Sequence, residues 1–295
     1  MRTGILVAGV LVVFITLAGC TGNRASSSYS VDSNGVLSVS CAPVTTSEEI
    51  LLTNETYTKT KVVMQTQSGD VVTYLAAPEH PRAAIVYVPG AGEKPAGHEE
   101  RMERYTAAGY AFLFVDIRGN GGQTPGYPFN PQLDFNWFEK GDWPQYYVTV
   151  CDLVAARQVL SDRFGVPVYA IGSSNGGRYA AVAAGVDPDF AGYVGISTSD
   201  WGIRDAVIQQ GYTGELVRFA TSIEPGTYFA KISPRPVWIF HAVNDPIIPF
   251  DNGKQFFGAA HEPKTFIEFS GSHGINTDVD DRIIMQWAQI YATRE

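Results

Sequence analysis

The sequence predicts an α/β fold, with a mostly parallel central sheet of about eight strands, helices on both faces and a short cap. Two observations carry this reading. Apolar, β-branched runs of strand length recur at residues 83–88, 110–115, 166–171 (VPVYAI), in AGYVGIST ahead of Asp200, at 236–241 (PVWIFH) and at 265–269, most of them bounded by glycine, proline or polar residues. Segments of helical composition separate them. Runs without polar alternation suit strands buried on both faces, the condition of parallel strands joined by helical crossovers.

Taken in order, residues 61–77 read as a hairpin turning at Ser68-Gly69-Asp70, and strand and helix alternate from Ala83 onward. Helices are expected over 97–108, over 145–164 and over 278–293, and the small-residue stretch 178–185 suits a helix lying close on a sheet. The segment 201–231 is short for a cap, which implies an open cleft. The chain has 295 residues, and a single domain over 49–295 accounts for everything beyond the amino-terminal region, with no internal repeat. The net charge of −9 leaves no basic patch to neutralise phosphates, which argues against a nucleic-acid partner.

The run 166–171 ends in Gly172-Ser173-Ser174-Asn175-Gly176 and continues into the small-residue helix. A serine between a strand and a helix adopts a strained backbone that crowds the positions two before and two after it, so glycine is wanted at both. Ser174 has Gly172 and Gly176 there, whereas Ser173 would have Ile171 and Asn175. This segment resembles the nucleophile elbow of the α/β-hydrolases, a superfamily that includes esterases, lipases, dienelactone hydrolases and the prolyl-oligopeptidase core. The resemblance implies the α/β-hydrolase fold and a chain order of serine, acid, histidine.

Two acids fit that order. Asp245 follows the strand 236–241 and precedes a proline-containing turn, and in the family an acid in this loop orients the histidine; Asp200 follows the earlier strand, where other members carry theirs. Among five histidines, His273 in SGSHG follows the strand 265–269 and has glycines that let a loop swing its ring over Ser174. His261 precedes that strand and falls at the opposite edge, His80 lies in a turn, and His98 and His241 fall on the functional edge as pocket candidates. No pair has the spacing of a zinc site, and neither a metal nor another cofactor is expected.

The resemblance then implies a mechanism. His273 takes the Ser174 proton and Asp245 holds the imidazole tautomer, while the backbone N–H groups of Ala91 and Asn175 form the oxyanion hole. Pro89-Gly90-Ala91-Gly92 stands where the family usually has His-Gly-x-Gly, so Pro89 departs from the pattern and leaves that loop without its usual anchor. The run Asp116-Ile117-Arg118-Gly119-Asn120-Gly121 resembles the loop after the fourth strand of many members, where Asp116 and Arg118 tie neighbouring loops together. Between residues 123 and 147 aromatic side chains are dense, and Tyr127 and Trp137, with Trp201 beside Asp200, are pocket candidates for an acyl, alcohol or sugar group. Packing of the segment on the body is the competing role for each ring.

At the amino terminus, Arg2, the apolar run 5–17 and Ala18-Gly19 read as a secretory signal over residues 1–19. Leu17-Ala18-Gly19-Cys20 resembles a prokaryotic lipobox, which implies a diacylglyceryl anchor on Cys20 and a mature chain tethered outside the cytoplasmic membrane; an uncleaved anchor would need a longer run. The serine-rich stretch after Cys20 reads as a flexible tether, taken over 20–48. Cys41 and Cys151 are the remaining cysteines, and an exterior location permits a bridge that spacing alone does not fix. Asn54-Glu55-Thr56 has the form of a glycosylation sequon.

These readings point to a serine hydrolase of small carboxylic esters, a carboxylesterase. A serine peptidase of the prolyl-oligopeptidase type is the alternative, with no propeller repeats to support it. A surface-anchored binding protein on a hydrolase scaffold is the alternative of another class.

Overall fold

The computed structural model describes residues 26–292. Strands β1 (Ser28–Val31) and β2 (Leu37–Ser40) form an antiparallel hairpin outside the main sheet. They correct the expectation of a flexible tether through residue 48. The stretch is polar, but Leu37 is fully buried and donates its N–H to the Tyr228 hydroxyl at 3.0 Å, and Tyr29 packs its ring against Trp143 and Tyr147. Cys41, just after β2, is disulfide-bonded to Cys151. The signal segment and Cys20 lie outside the described residues.

Strands β3 (Thr45–Thr53), β4 (Thr58–Thr66) and β5 (Gly69–Ala77) are antiparallel, and the β4–β5 hairpin turns where Ser68-Gly69 predicted. The parallel part follows: β6 (Ala83–Val88), α1 (Glu99–Ala107), β7 (Tyr110–Val115), α2 (Pro131–Glu139), α3 (Gln145–Phe164), β8 (Val168–Ser173), α4 (Asn175–Val186) and β9 (Phe190–Ile196). Three short helices come next, α5 (Ile203–Gln209), α6 (Glu215–Ser222) and α7 (Phe229–Ile232), in the place of a cap. The chain closes with β10 (Val237–Ala242), α8 (Phe250–Ala259), β11 (Lys264–Phe269) and α9 (Thr277–Ala292).

Among the described residues the main sheet has nine strands in the order β11-β10-β9-β8-β6-β7-β5-β4-β3, parallel from β11 to β7 and antiparallel beyond. Alternate residues of the central strands feed two cores. Val86, Val88, Leu113 and Ala170 face α3 and α4, while Ile85, Tyr87, Phe112 and Tyr169 face α1 and α9. Burial on both faces is why these strands read as unbroken apolar runs. Crossovers return every parallel strand in one direction, so the loops after β6 to β11 gather at one edge.

The disulfide closes a loop of 110 residues between the amino-terminal hairpin and α3. Replacing both cysteines by serine is expected to lower unfolding stability by about 2–4 kcal/mol. Urea denaturation, with hydrogen exchange to show β1 and β2 opening first, checks this. An unchanged midpoint would assign the anchorage of the hairpin to Tyr29 and Leu37 alone.

Candidate active site

Ser174 lies between β8 and α4 with φ 52°, and among the described residues only Ser197 shares a positive φ without being glycine. The flanking glycines are required by contact. A methyl group on Gly172 would come within 2.4 Å of the Gly176 carbonyl, and one on Gly176 within 2.1 Å of the Val88 carbonyl oxygen. The bend is fixed by its neighbours: Ser174 N–H donates to Ile196 O at 2.8 Å, and the Thr198 hydroxyl donates to Ser174 O at 2.8 Å.

The Ser174 hydroxyl is 2.8 Å from His273 Nε2, and His273 Nδ1 is 2.9 Å from both carboxylate oxygens of Asp245. A carboxylate only accepts, so Nδ1 carries the proton and Nε2 presents its lone pair to the serine O–H. Asp245 Oδ1 also accepts from the N–H groups of Ile247 and Ile248, each at 2.9 Å. Burial tends to raise the Asp245 pKa, but these bonds and that from His273 outweigh it and hold the carboxyl below its ordinary value. His273 remains partly open to solvent, its side chain 19% exposed.

Asp200 stands apart from this group. Its carboxylate accepts from Gly226 N–H at 2.7 Å, and burial raises its pKa. His241 is fully buried behind Asp245, its Nε2 3.0 Å from Ile248 O. His261 and His80 are exposed.

The loop after β6 has anchors that the missing histidine at position 89 did not suggest. Asn120, from the loop after β7, donates through Nδ2 to Gly90 O at 3.2 Å and Glu93 O at 3.1 Å, and accepts Gly92 N–H on Oδ1 at 2.7 Å. Glu93 Oε2 accepts Gly90 N–H at 2.9 Å and lies 3.3 Å from His98 Nε2. The Arg101 guanidinium donates to His98 Nδ1, which makes Nε2 the protonated nitrogen, and Arg101 Nε binds both oxygens of Asp280 at 2.9 and 3.1 Å. Between these anchors Ala91 is exposed, and among the described residues neither its N–H nor that of Asn175, the first residue of α4, donates to a protein acceptor. Sequence reasoning passed over Asn120 and Glu93. Asn120 lies inside the motif quoted for its charges, and Glu93 directly follows Gly92.

Arg118 and Asp116 tie loops as expected, though to different partners. Arg118 binds Asp152 of α3 at 2.7 Å and the Ser68 carbonyl at 2.9 Å, while Asp116 accepts from the Gln123 and Thr124 amides. Of the pocket candidates, Trp201 stacks on Phe129 with centroids 4.0 Å apart and lies 4.1 Å from the Arg178 guanidinium carbon, and Arg178 donates to Asn175 Oδ1 at 2.8 Å. Tyr127 and Trp137 are occupied elsewhere. The Tyr127 hydroxyl binds Asp134 at 2.5 Å, and Trp137 is exposed on α2 under Lys140. Among the described residues no group of three or more His, Cys, Asp or Glu is placed to hold a metal ion.

Residues 79–224 match the family model described as serine aminopeptidase, S33. No functionally curated protein matches the sequence. Among solved structures, an acetyl xylan esterase from Paenibacillus sp. R4 superposes with a TM-score of 0.68 at 16% identity, covering 84% of this chain and 89% of that one. Acetyl xylan esterase 1 from Thermoanaerobacterium gives 0.64 at 14%, covering 84% and 87%. A glucuronoyl esterase from Solibacter usitatus gives 0.59 at 15%, covering 92% and 88%. At these identities the likeness is one of fold, and the chain has the α/β-hydrolase fold.

Asn120→Ala removes three bonds from the loop 90–93. Hydrogen exchange at Gly90 and Gly92 is expected to rise by at least about tenfold relative to the strand amides, since each lost bond weakens closure by ~1 kcal/mol. Equal exchange would show that Glu93 alone holds the loop.

Proposed function

We propose that this chain is a serine hydrolase of carboxylic esters, a carboxylesterase that works through Ser174, His273 and Asp245 and an acyl-enzyme. The observation that carries the reading is the unbroken hydrogen-bonded chain from the Ser174 hydroxyl through both nitrogens of His273 to Asp245. His273 takes the proton as Ser174 Oγ attacks the carbonyl carbon, and Asp245 stabilises the imidazolium. The Ala91 and Asn175 N–H groups receive the negative charge that develops on the carbonyl oxygen. His273 then returns the proton to the leaving alcohol, and water repeats the cycle to free the acid. Fold neighbours named as acetyl xylan and glucuronoyl esterases support ester hydrolysis. The match to the serine aminopeptidase model favours peptide or amide bonds as the second reading, since the same three residues serve amides.

The amino-terminal Leu17-Ala18-Gly19-Cys20 supports a further part of the proposal, a lipid anchor on Cys20 that holds the enzyme at the outer face of the cell envelope.

Labelling by a fluorophosphonate, followed by a panel of esters and aminoacyl amides, tests the reading. Ser174→Ala is expected to abolish both labelling and turnover while the protein stays folded, and a labelled variant would refute the nucleophile. His273→Ala should be similarly inactive, and His261→Ala close to wild type. Asp245→Asn is expected to lose about 10⁴-fold in kcat through a mis-set tautomer. Asp200→Asn should lose far less, and the reverse ranking would make Asp200 the orienting acid.

A further inference from the structure

Glu93 uses only one of its two carboxylate oxygens. Oε2 takes the Gly90 N–H, the His98 Nε2–H and, at 3.4 Å, the Tyr87 hydroxyl, whereas Oε1 has no hydrogen-bond partner among the described residues. Oε1 also sits beside the site. A methyl group built on Gly90 would lie 3.0 Å from Glu93 Oε1 and 3.5 Å from Ser174 Cβ, and one built on Gly274 would lie 4.0 Å from Oε1. The free oxygen therefore lies between Gly90 of the Ala91 loop and Gly274 of the His273 loop, close to the serine that would be acylated. The side chain is about a third exposed, at 32%.

The surrounding charges keep this oxygen an acceptor. His98 Nδ1 accepts a hydrogen bond from Arg101 and so presents its Nε2–H to Glu93, and the charge of Arg101 is paired with Asp280. Burial acts to raise the Glu93 pKa, but the bonds from His98 and Gly90 and the nearby Arg101 charge hold it below the ordinary value. An ionised carboxylate with one vacant oxygen at the wall of a reaction site rewards a substrate that brings an O–H or N–H to it, and penalises one that buries it unpaired.

We propose that Glu93 Oε1 is a specificity-determining acceptor, which selects esters bearing a hydroxyl or ammonium group one or two atoms from the scissile ester. The inference rests on the ester-hydrolase reading.

The test measures kcat/KM for two series. Ethyl glycolate and glycine ethyl ester are compared with ethyl propionate on the acyl side, and 2-hydroxyethyl acetate with propyl acetate on the alcohol side. Each is run with the wild-type chain and with Glu93→Gln, which keeps an oxygen for Gly90 and His98 but turns the vacant acceptor into a donor. Intrinsic reactivity cancels when the donor-to-apolar ratio is compared between the two proteins, and a merely loosened loop affects both members of a pair alike. The ratio is expected to fall about 10- to 100-fold in the variant in at least one series. A fall confined to the glycine ester assigns the partner to ammonium, and one confined to the hydroxy esters to hydroxyl. If Glu93→Gln does not fold, Glu93→Asp withdraws the same oxygen by one methylene and is expected to lower the ratio in the same direction. Equal ratios, with ethyl propionate and propyl acetate still cleaved, overturn this proposal and leave the ester reading standing. No turnover of any ester by the wild type removes both.

Discussion

The arrangement at the strand ends depends on one strained turn. With φ 52°, Ser174 occupies a backbone region that costs a residue with a side chain about 1–3 kcal/mol. The sheet sustains that cost: β8 is buried along its whole length, the Ser174 amide is bonded to the neighbouring strand β9, and its carbonyl is bonded to Thr198. Gly172 and Gly176 then let α4 start immediately, against the backbone of residues 88 and 89. That close approach brings the amide of Asn175 and the loop of Ala91 to the same place. A side chain at either glycine would separate the helix start from the β6 loop, and the other groups would no longer share a centre.

Around this turn the chain uses buried charge to hold loops. Arg118 with Asp152 fixes the loop after β7 to α3, and Arg101 with Asp280 fixes α1 to α9 behind the β6 loop. Removing water from such ions is expensive, and a buried pair seldom adds net stability over apolar packing. Their value here is geometric. Each Arg has a fork of donors left over after meeting its carboxylate, which Arg118 spends on the β4–β5 turn and Arg101 on His98. By that route the loop carrying Ala91 is held by Asn120 and Glu93 without the histidine that the sequence pattern would place at position 89.

Local rules made part of this legible. Ser174 could be chosen over Ser173 because the turn tests only the residues two before and two after it, and strand burial was visible in runs such as 83–88 and 110–115. The acid was a different matter. Asp200 and Asp245 both follow strands of the same sheet, and which one meets His273 depends on where two separate loops turn. In the structure, Ile247 and Ile248 wrap the chain around the Asp245 carboxylate, while Gly226 engages Asp200. The hairpin of β1 and β2 was illegible for another reason: its strands have four residues each, in serine-rich sequence, and are held by Tyr29, Leu37 and a disulfide to a helix 110 residues away. Asn120 was hidden in the same way, since its partners are about 30 residues earlier in the chain.

The two flanks of Ser174 differ in kind. Toward Asn175 the guanidinium of Arg178 is spread between carbonyls, an amide oxygen and the Trp201 ring, with no carboxylate in ion-pair contact among the described residues, and Phe129 covers the other side of the indole. Toward Gly90 stands Glu93, ionised and with one oxygen unspent. With both faces of the indole covered, that flank is closed by packing, whereas a single carboxylate oxygen rewards one directed donor. Under the proposed mechanism, a donor held by that oxygen helps set the carbonyl between the Ala91 and Asn175 amides without any contact to the carbonyl carbon itself, which stays free for Ser174.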